Sequence, residues 1–156
     1  MTNEDFMRRA FDLARERMHA SQGGPFGAVI VRNGAIVAEG WNEVTSTNDP
    51  TAHAEVVAIR RACTRLDTFN LSGCDIYASC EPCPMCLGAI YWAQFRRFYY
   101  ANTREEAAAI GFDDEFIYRQ IPLAPAARAI PGVRLSLPQS DILFAEWAAK
   151  PDKIRY

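Results

Sequence analysis

The sequence contains no long apolar run and no excess of positive charge. No stretch reaches the roughly 18 consecutive apolar residues that a membrane-spanning helix needs, and the N-terminus carries charged residues where a signal peptide would be apolar. We therefore expect a cytoplasmic protein with no membrane partner. The formal net charge of −2 disfavours an extended nucleic-acid interface, which usually requires a basic face, and favours a small-molecule substrate.

The chain also lacks internal repeats and low-complexity segments. Its 156 residues are 49% hydrophobic and 23% charged, which is close to the composition of ordinary globular proteins. A chain of this length fits one compact domain with a single core. We therefore expect residues 1–156 to form one domain with one active site.

The hydrophobic pattern predicts an alternation of helices and strands. Thr2 or Asn3 can cap the first helix, and the pair Asn33-Gly34 between two apolar runs indicates a tight hairpin. The predicted helices span residues 3–20, 52–66, 83–92, 105–110, 114–120 and 141–149, the predicted strands span 27–31, 36–41, 75–79 and 97–101, and a polar loop spans 42–50. This order favours a layered α/β domain with a mixed sheet, because crossover helices join successive strands.

Most of the cysteines lie in one short segment. Cys80, Cys83 and Cys86 are three of only five cysteines, and this clustering indicates metal binding more than disulfides. Cys83 and Cys86 would lie on one side of the first turn of a helix, where the helix N-terminus favours thiolates. His53 can supply a third ligand, which leaves the fourth position of a catalytic zinc site to water. We predict one zinc ion per chain.

Glu55 lies two residues beyond His53 and provides the group that a hydrolytic reaction needs. Zinc lowers the pKa of a bound water towards ~7. A nearby carboxylate can accept the proton of that water and return it to a departing amine. The pair His53 and Glu55, followed by Cys83 and Cys86, is the pattern of zinc-dependent nucleobase deaminases.

Three other interpretations each account for part of this pattern. A structural zinc site could add Cys80 to the three predicted ligands, but it would leave Glu55 without a purpose. An iron–sulfur cluster would require a further Cys-Pro after Cys86. A thioredoxin-like redox pair would not require a His-x-Glu segment upstream. We therefore favour the open catalytic site.

Several longer segments resemble the small bacterial guanine deaminases of the cytidine-deaminase-like superfamily. The similar segments are 23–30, 48–55, 79–93 and 111–118, together with the terminal Tyr156. They are distributed from residue 23 to residue 156 and extend well beyond the zinc pattern, which cytosine, cytidine and transfer-RNA adenosine deaminases share. The resemblance implies a three-layer α/β/α sandwich with a mixed five-stranded sheet, and hydrolysis of guanine to xanthine and ammonia.

The same resemblance implies the substrate pocket. The residues that match the family's substrate contacts are Phe26, Asn42, Ala54, Trp92, Asp114 and Tyr156. Phe26 and Trp92 would enclose the base, Asn42 would bind the purine edge, and Tyr156 would close the pocket. Asp114 would contact the ring and assist proton transfer, as a second catalytic residue beside the glutamate. From the residues alone, the two aromatics could equally be core packing, and Asp114 could equally begin a solvated helix.

A homodimer is also implied by the resemblance, because members of this family exchange their C-terminal segments. The corresponding segment here is 122–156. With this exchange, part of each pocket would come from the partner chain. Prolines are frequent between 122 and 138, and extended hinges that cannot continue a helix are compatible with such an exchange.

Two further functions remain open at this point. A transfer-RNA adenosine deaminase, or a deaminase of another nucleobase or an aminotriazine, would use the same zinc chemistry. Recognition of transfer RNA would need basic surface, to which Lys150, Lys153 and Arg155 could contribute. A zinc-stabilised binding module without catalysis is the alternative from a different class of protein. The net acidity and the terminal tyrosine favour a free base as the substrate.

Overall fold

The computed structural model describes all 156 residues. The chain divides into two compact units, Met1–Asp114 and Glu115–Tyr156. The first unit contains α1 (Asn3–His19), β1 (Gly27–Arg32), β2 (Ala35–Trp41), α2 (Val44–Thr47), α3 (Ala54–Leu66), β3 (Cys74–Cys80), α4 (Pro84–Trp92), β4 (Arg97–Asn102) and α5 (Arg104–Ala109). The second contains α6 (Glu115–Gln120), a 3-10 turn (Pro125–Ala127) and α7 (Pro138–Ala149).

A single mixed sheet, with the strand order β2-β1-β3-β4, forms the middle of the first unit. β1 pairs antiparallel with β2 and β3, whereas β3 and β4 are parallel. Asn33 and Gly34 form the predicted hairpin turn with φ values of 52° and 76°, in the left-handed region that these residues tolerate best. The parallel pair needs a crossover connection, which α4 supplies as predicted.

Helices cover both faces of this sheet. Alternate residues of a strand point to opposite faces, and in β1 this alternation separates two cores. Val29 and Val31 pack with Leu13 of α1. Ala28 and Ile30 pack with residues of α3 and α4. The first unit is therefore an α/β/α sandwich, and its predicted three-layer architecture is confirmed.

The sheet has four strands, so the five-stranded sheet implied by the family resemblance is wrong. After β4, the Thr103 hydroxyl accepts a hydrogen bond from the Glu106 amide, and the Glu106 carboxylate accepts one from the Thr103 amide. This capping box begins α5 directly after β4, so the chain continues as a helix and not as a further strand. Further along, the prolines between 122 and 138 lack the amide donor that a central strand requires.

Two smaller differences lie near the predicted metal ligands. The short helix α2 occupies part of the predicted loop 42–50. α3 begins at Ala54 rather than at 52, because His53 has extended backbone with ψ of 156°. The carbonyl of His53 accepts the first helical hydrogen bond, from the Val57 amide at 2.9 Å.

Gly40 allows α3 to rest directly on β2. A Cβ atom at this position would lie 2.3 Å from the carbonyl oxygen of Ala54 and 2.6 Å from the amide nitrogen of Ala58. Any larger residue would therefore push the first turn of α3 away from the sheet. The missing side chain sets the position of the helix start that follows His53.

In the second unit, Arg128 connects the 3-10 turn to the segment that follows α6. Its guanidinium donates hydrogen bonds to the carbonyl oxygens of Leu123 and Ile121 at 3.1 and 3.2 Å. No residue of this unit is buried. The exposed apolar side chains of α7 are Ile142, Leu143, Phe144 and Trp147.

None of the helices of the protein combines the length and apolar character needed to cross a membrane.

Candidate metal centre and active site

His53 is fixed at the point where a polar loop enters α3. Asp49 Oδ1 accepts hydrogen bonds from the backbone amide and the hydroxyl of Thr51 at 2.8 and 2.7 Å. The Thr51 carbonyl oxygen in turn accepts a hydrogen bond from the His53 amide at 2.8 Å. An aspartate that bonds the backbone two residues further on stabilises a tight turn. The loop therefore places the His53 imidazole at the N-terminus of α3.

Cys83 and Cys86 lie at the start of α4. Cys83 is the N-cap residue, and Pro84 occupies the first helical position, where its missing amide donor is not needed. The Cys83 carbonyl oxygen accepts a hydrogen bond from the Leu87 amide at 2.8 Å, which closes the first turn. Residues three apart are neighbours on a helix surface, so both sulfurs can approach one ion.

The structure brings the three predicted ligands together. Nδ1 of His53 lies 3.5 Å from Sγ of both Cys83 and Cys86, and all three ligand atoms lie within 4.8 Å of one another. A tetrahedral zinc ion, with Zn–S of about 2.3 Å and Zn–N of about 2.0 Å, would separate nitrogen and sulfur ligands by about 3.5 Å. The residues therefore fit zinc. Cys80 is not part of this group, and its Sγ faces the Thr103 carbonyl oxygen at 3.7 Å.

Charge within the cluster favours one thiolate. A hydrogen bond from Cys86 lowers the pKa of Cys83 to about 4, with a further contribution from His53. The same hydrogen bond, together with burial, raises the pKa of Cys86. The hydrogen bond to Cys83 raises the pKa of His53. Cys83 is therefore ionised at neutral pH, which is the form in which cysteine binds metals.

Glu55 is buried beside the ligands. The residue is only 7% exposed, and its Oε2 accepts a hydrogen bond from the Cys86 thiol at 3.4 Å. Burial raises the pKa of the Glu55 carboxyl, because the charged form loses its hydration. A carboxyl group that holds its proton closer to neutral pH is suited to proton transfer.

Asn42 and Phe26 are joined where β2 ends. Oδ1 of Asn42 accepts hydrogen bonds from the amides of Gly24 and Val44, each at 3.3 Å. The backbone amide of Asn42 donates a hydrogen bond to the Phe26 carbonyl oxygen at 3.1 Å. A Cβ at Gly23 would lie 1.7 Å from the Asn42 carbonyl oxygen, so this packing requires glycine. These bonds fix the side-chain amide and leave its Nδ2 without a protein acceptor.

Phe112 is an aromatic neighbour of Phe26 that no sequence pattern marks as a site residue. Its ring lies edge-on to Phe26, with 4.8 Å between the ring centroids and 89° between the planes. Edge-to-face pairs of this kind are favoured by the ring quadrupoles. Phe112 lies within the similar segment 111–118, but a lone aromatic in a loop carries no periodic pattern that would reveal its neighbour.

The remaining predicted residues occupy different surroundings. Ala54, which lies between His53 and Glu55 in the chain, is buried. Asp114 is half-buried, and burial, followed by the charge of Cys83, raises the pKa of its carboxyl. Trp92 ends α4, about 9 Å along the helix axis from the second cysteine, and is 67% exposed. Tyr156, which is 72% exposed, belongs to the second unit.

The first 102 residues match the family described as the cytidine and deoxycytidylate deaminase zinc-binding region. The chain therefore belongs to this family of zinc-binding deaminases. It is 51% identical to the guanine deaminase of Bacillus subtilis (strain 168) over 156 residues, which is 100% of both proteins. The X-ray structure of guanine deaminase from Bacillus subtilis is similar with a TM-score of 0.97, over 100% of this chain and 99% of that one. A tRNA-specific adenosine deaminase of Agrobacterium fabrum is 43% identical over 86 residues, which is 55% of this chain and 57% of that protein.

Cys83 should be the most reactive thiol of the zinc-free protein. Near pH 6, we expect iodoacetamide to modify Cys83 before Cys63 or Cys86, because only Cys83 has a lowered pKa, of about 4. Mass spectrometry of samples quenched at intervals gives the order of labelling, and zinc added beforehand should protect Cys83. Labelling of Cys83 that starts only near the usual thiol pKa of about 8.5 would contradict this assignment.

Proposed function

We propose that this chain is a zinc-dependent guanine deaminase, which hydrolyses guanine to xanthine and ammonia. The observation that carries the proposal is the buried Glu55 carboxyl beside an open set of one histidine and two cysteine ligands. The full-length 51% identity to a guanine deaminase supplies the substrate. In this reaction a water oxygen forms a bond to the amino-bearing carbon of guanine, and the carbon–nitrogen bond to the amine breaks without any change of oxidation state.

His53, Cys83 and Cys86 would hold one zinc ion per chain. Three protein ligands leave a fourth tetrahedral position open, as in other catalytic zinc sites. Zinc, when bound, supplies a Lewis acid that lowers the pKa of a water ligand towards ~7. The Cys83 thiolate is already the ionised ligand that such a site requires.

Glu55 is the proton carrier in this proposal. Its carboxylate takes one proton from the attacking water and passes it to the purine ring. It then takes the remaining proton of the added hydroxyl and delivers it to the departing amine, so that a carbonyl and ammonia are formed. Such a shuttle works best when the pKa of the carrier lies near the operating pH, and burial raises the pKa of Glu55 in that direction. In the zinc-free protein the Cys86 thiol donates a hydrogen bond to Oε2, so the carboxyl lies directly beside the ligand set.

The pocket is assembled from polar and aromatic groups near the ligands. Asn42 would donate a hydrogen bond from Nδ2 to an acceptor on the purine edge, because its Oδ1 is already occupied. Phe26, supported edge-on by Phe112, would lie against a flat face of the base. Ala54 would line the pocket at the start of α3, and Asp114 would contact the ring and assist proton transfer.

Glu55→Gln should abolish most of the turnover of guanine while leaving the metal site intact. General acid–base catalysis contributes about 10²- to 10⁴-fold, and the amide cannot accept a proton. Ammonia release measures the rate, and elemental analysis should find about one zinc per chain in both proteins. Glu16→Gln is a matched control, because Glu16 is an exposed glutamate of α1. Near-normal turnover by a folded, zinc-loaded Glu55→Gln protein would contradict the proposed role.

The partner chain would complete each pocket through an exchanged C-terminal segment, 122–156. The second unit supports this proposal, because it buries none of its residues and exposes the apolar side chains of α7. Tyr156 of one protomer would then close the pocket of the other. Trp92, exposed at the end of α4, would lie beside the base as an aromatic wall.

Mixed dimers can test this exchange. Glu55→Gln and Tyr156→Ala chains, each with low activity alone, should regain activity when they are unfolded and refolded together. Half of the dimers would be mixed, and one of their two sites would be complete, so about one quarter of the wild-type activity is expected. If the mixture shows no more activity than the two variants measured separately, the site is built from one chain and the exchange proposal is wrong.

A transfer-RNA adenosine deaminase is supported less well by the same observations. The similarity to the tRNA-specific enzyme of Agrobacterium fabrum extends over 55% of this chain, whereas the similarity to the guanine deaminase extends over all of it. The net charge of −2 also offers little attraction for a polyanionic substrate. A free purine base is the substrate that both facts favour.

A further inference from the structure

Trp41, the last residue of β2, stacks between two arginines that come from opposite faces of the sheet. The guanidinium carbon of Arg17 in α1 lies 4.0 Å from the centre of the Trp41 ring. The guanidinium carbon of Arg61 in α3 lies 4.1 Å from it. Cations over the face of tryptophan are attracted by the ring quadrupole. The stack therefore ties the two helix layers together around an edge strand.

Both arginines are held by further contacts. Arg61 donates one hydrogen bond to the carbonyl oxygen of Glu39 at 3.0 Å and another to the carboxylate of Glu43. Arg17 donates to Oε1 of Gln22 at 3.1 Å, and its buried Nε has no hydrogen-bond partner. A buried donor without an acceptor is costly. The attraction to the Trp41 ring, whose centre lies 4.0 Å away, offsets part of this cost.

This stack lies directly beside Asn42. Trp41, which precedes Asn42, is in contact with the guanidinium groups of Arg17 and Arg61. Glu43, which follows Asn42, accepts a hydrogen bond from Arg61. The Glu43 amide also donates a hydrogen bond to the Ala52 carbonyl oxygen at 2.9 Å, next to the histidine ligand. The backbone of Asn42 is thus fixed from both sides, relative to the same loop that carries the histidine.

We propose that Trp41, held between Arg17 and Arg61, is a positioning residue that fixes the Asn42 amide in the substrate pocket. The inference rests on the proposed function, in which Asn42 binds the purine edge. Trp41 itself touches no reacting atom in this proposal. Its loss should therefore weaken the binding of guanine while leaving the chemical step nearly unchanged.

Steady-state kinetics with guanine provide the first test. Trp41→Leu removes the aromatic faces and should raise KM by about five-fold or more with kcat within about two-fold, the pattern of lost ground-state binding. Trp41→Phe retains a ring and should recover most of the loss. Arg9→Met is the matched control, because the Arg9–Glu39 ion pair also ties α1 to β2 but does not touch the tryptophan. This control should leave both kinetic constants unchanged.

A double-mutant cycle tests whether Trp41 acts through Asn42. In an Asn42→Ala background, Trp41→Leu should have no further effect on kcat/KM, because the group that it positions is absent. Equal effects of Trp41→Leu in both backgrounds would overturn the proposal. Where Trp41→Leu does not fold, Arg17→Met removes one of the two cations while keeping the ring, and the same comparison applies.

Amide hydrogen exchange separates this proposal from the proposed function. The amides of Gly24 and Val44 donate to Oδ1 of Asn42, so they should exchange faster in Trp41→Leu than in the wild type or Arg9→Met. Unchanged exchange would overturn the positioning role. Faster exchange without a change in KM, in an enzyme that deaminates guanine, would overturn its link to substrate binding. If the wild type does not deaminate guanine, the proposed function fails, and exchange alone decides whether Trp41 positions Asn42.

Discussion

The nitrogen of His53 and the sulfurs of Cys83 and Cys86 meet because two helices begin at the same place. α3 and α4 pack against each other on one face of the sheet, with their first turns together. Gly40 lets α3 lie close enough to β2 for this arrangement. The partial positive charge at both helix starts favours the thiolate that a metal ligand requires. The geometry of the sandwich and the electrostatics of the ligands therefore have a common origin.

Burial of Glu55 gives the same region its chemical character. An isolated carboxylate is costly away from water, so the Glu55 carboxyl has a raised pKa and accepts a hydrogen bond from Cys86. The desolvation that would destabilise a purely structural residue prepares this group for proton transfer. Asn42 is fixed differently, by backbone amides that occupy its Oδ1 and by the stacked Trp41 beside it.

The sequence predicted the layers, the hairpin and the ligand set, because these features depend on local periodicity, turn chemistry and short spacings. The hydrophobic pattern predicted the four strands that the sheet contains, whereas the fifth strand was implied only by the family resemblance. Local patterns did not predict α2, which is only one turn long. Phe112 and the stack of Trp41 between Arg17 and Arg61 were also missed. Such contacts join residues far apart in the chain, and no local pattern marks them.

Ammonia release from purified, zinc-loaded protein tests the central claim most directly. Guanine, adenine, cytosine and a transfer-RNA substrate should be compared under the same conditions. We expect rapid release from guanine alone, because the zinc ligands, Glu55 and the Asn42 amide together fit a free purine. Release only from another substrate would keep the zinc chemistry and contradict the assigned pocket. No release from any of them, by a folded protein with its zinc bound, would contradict the assignment of a catalytic site.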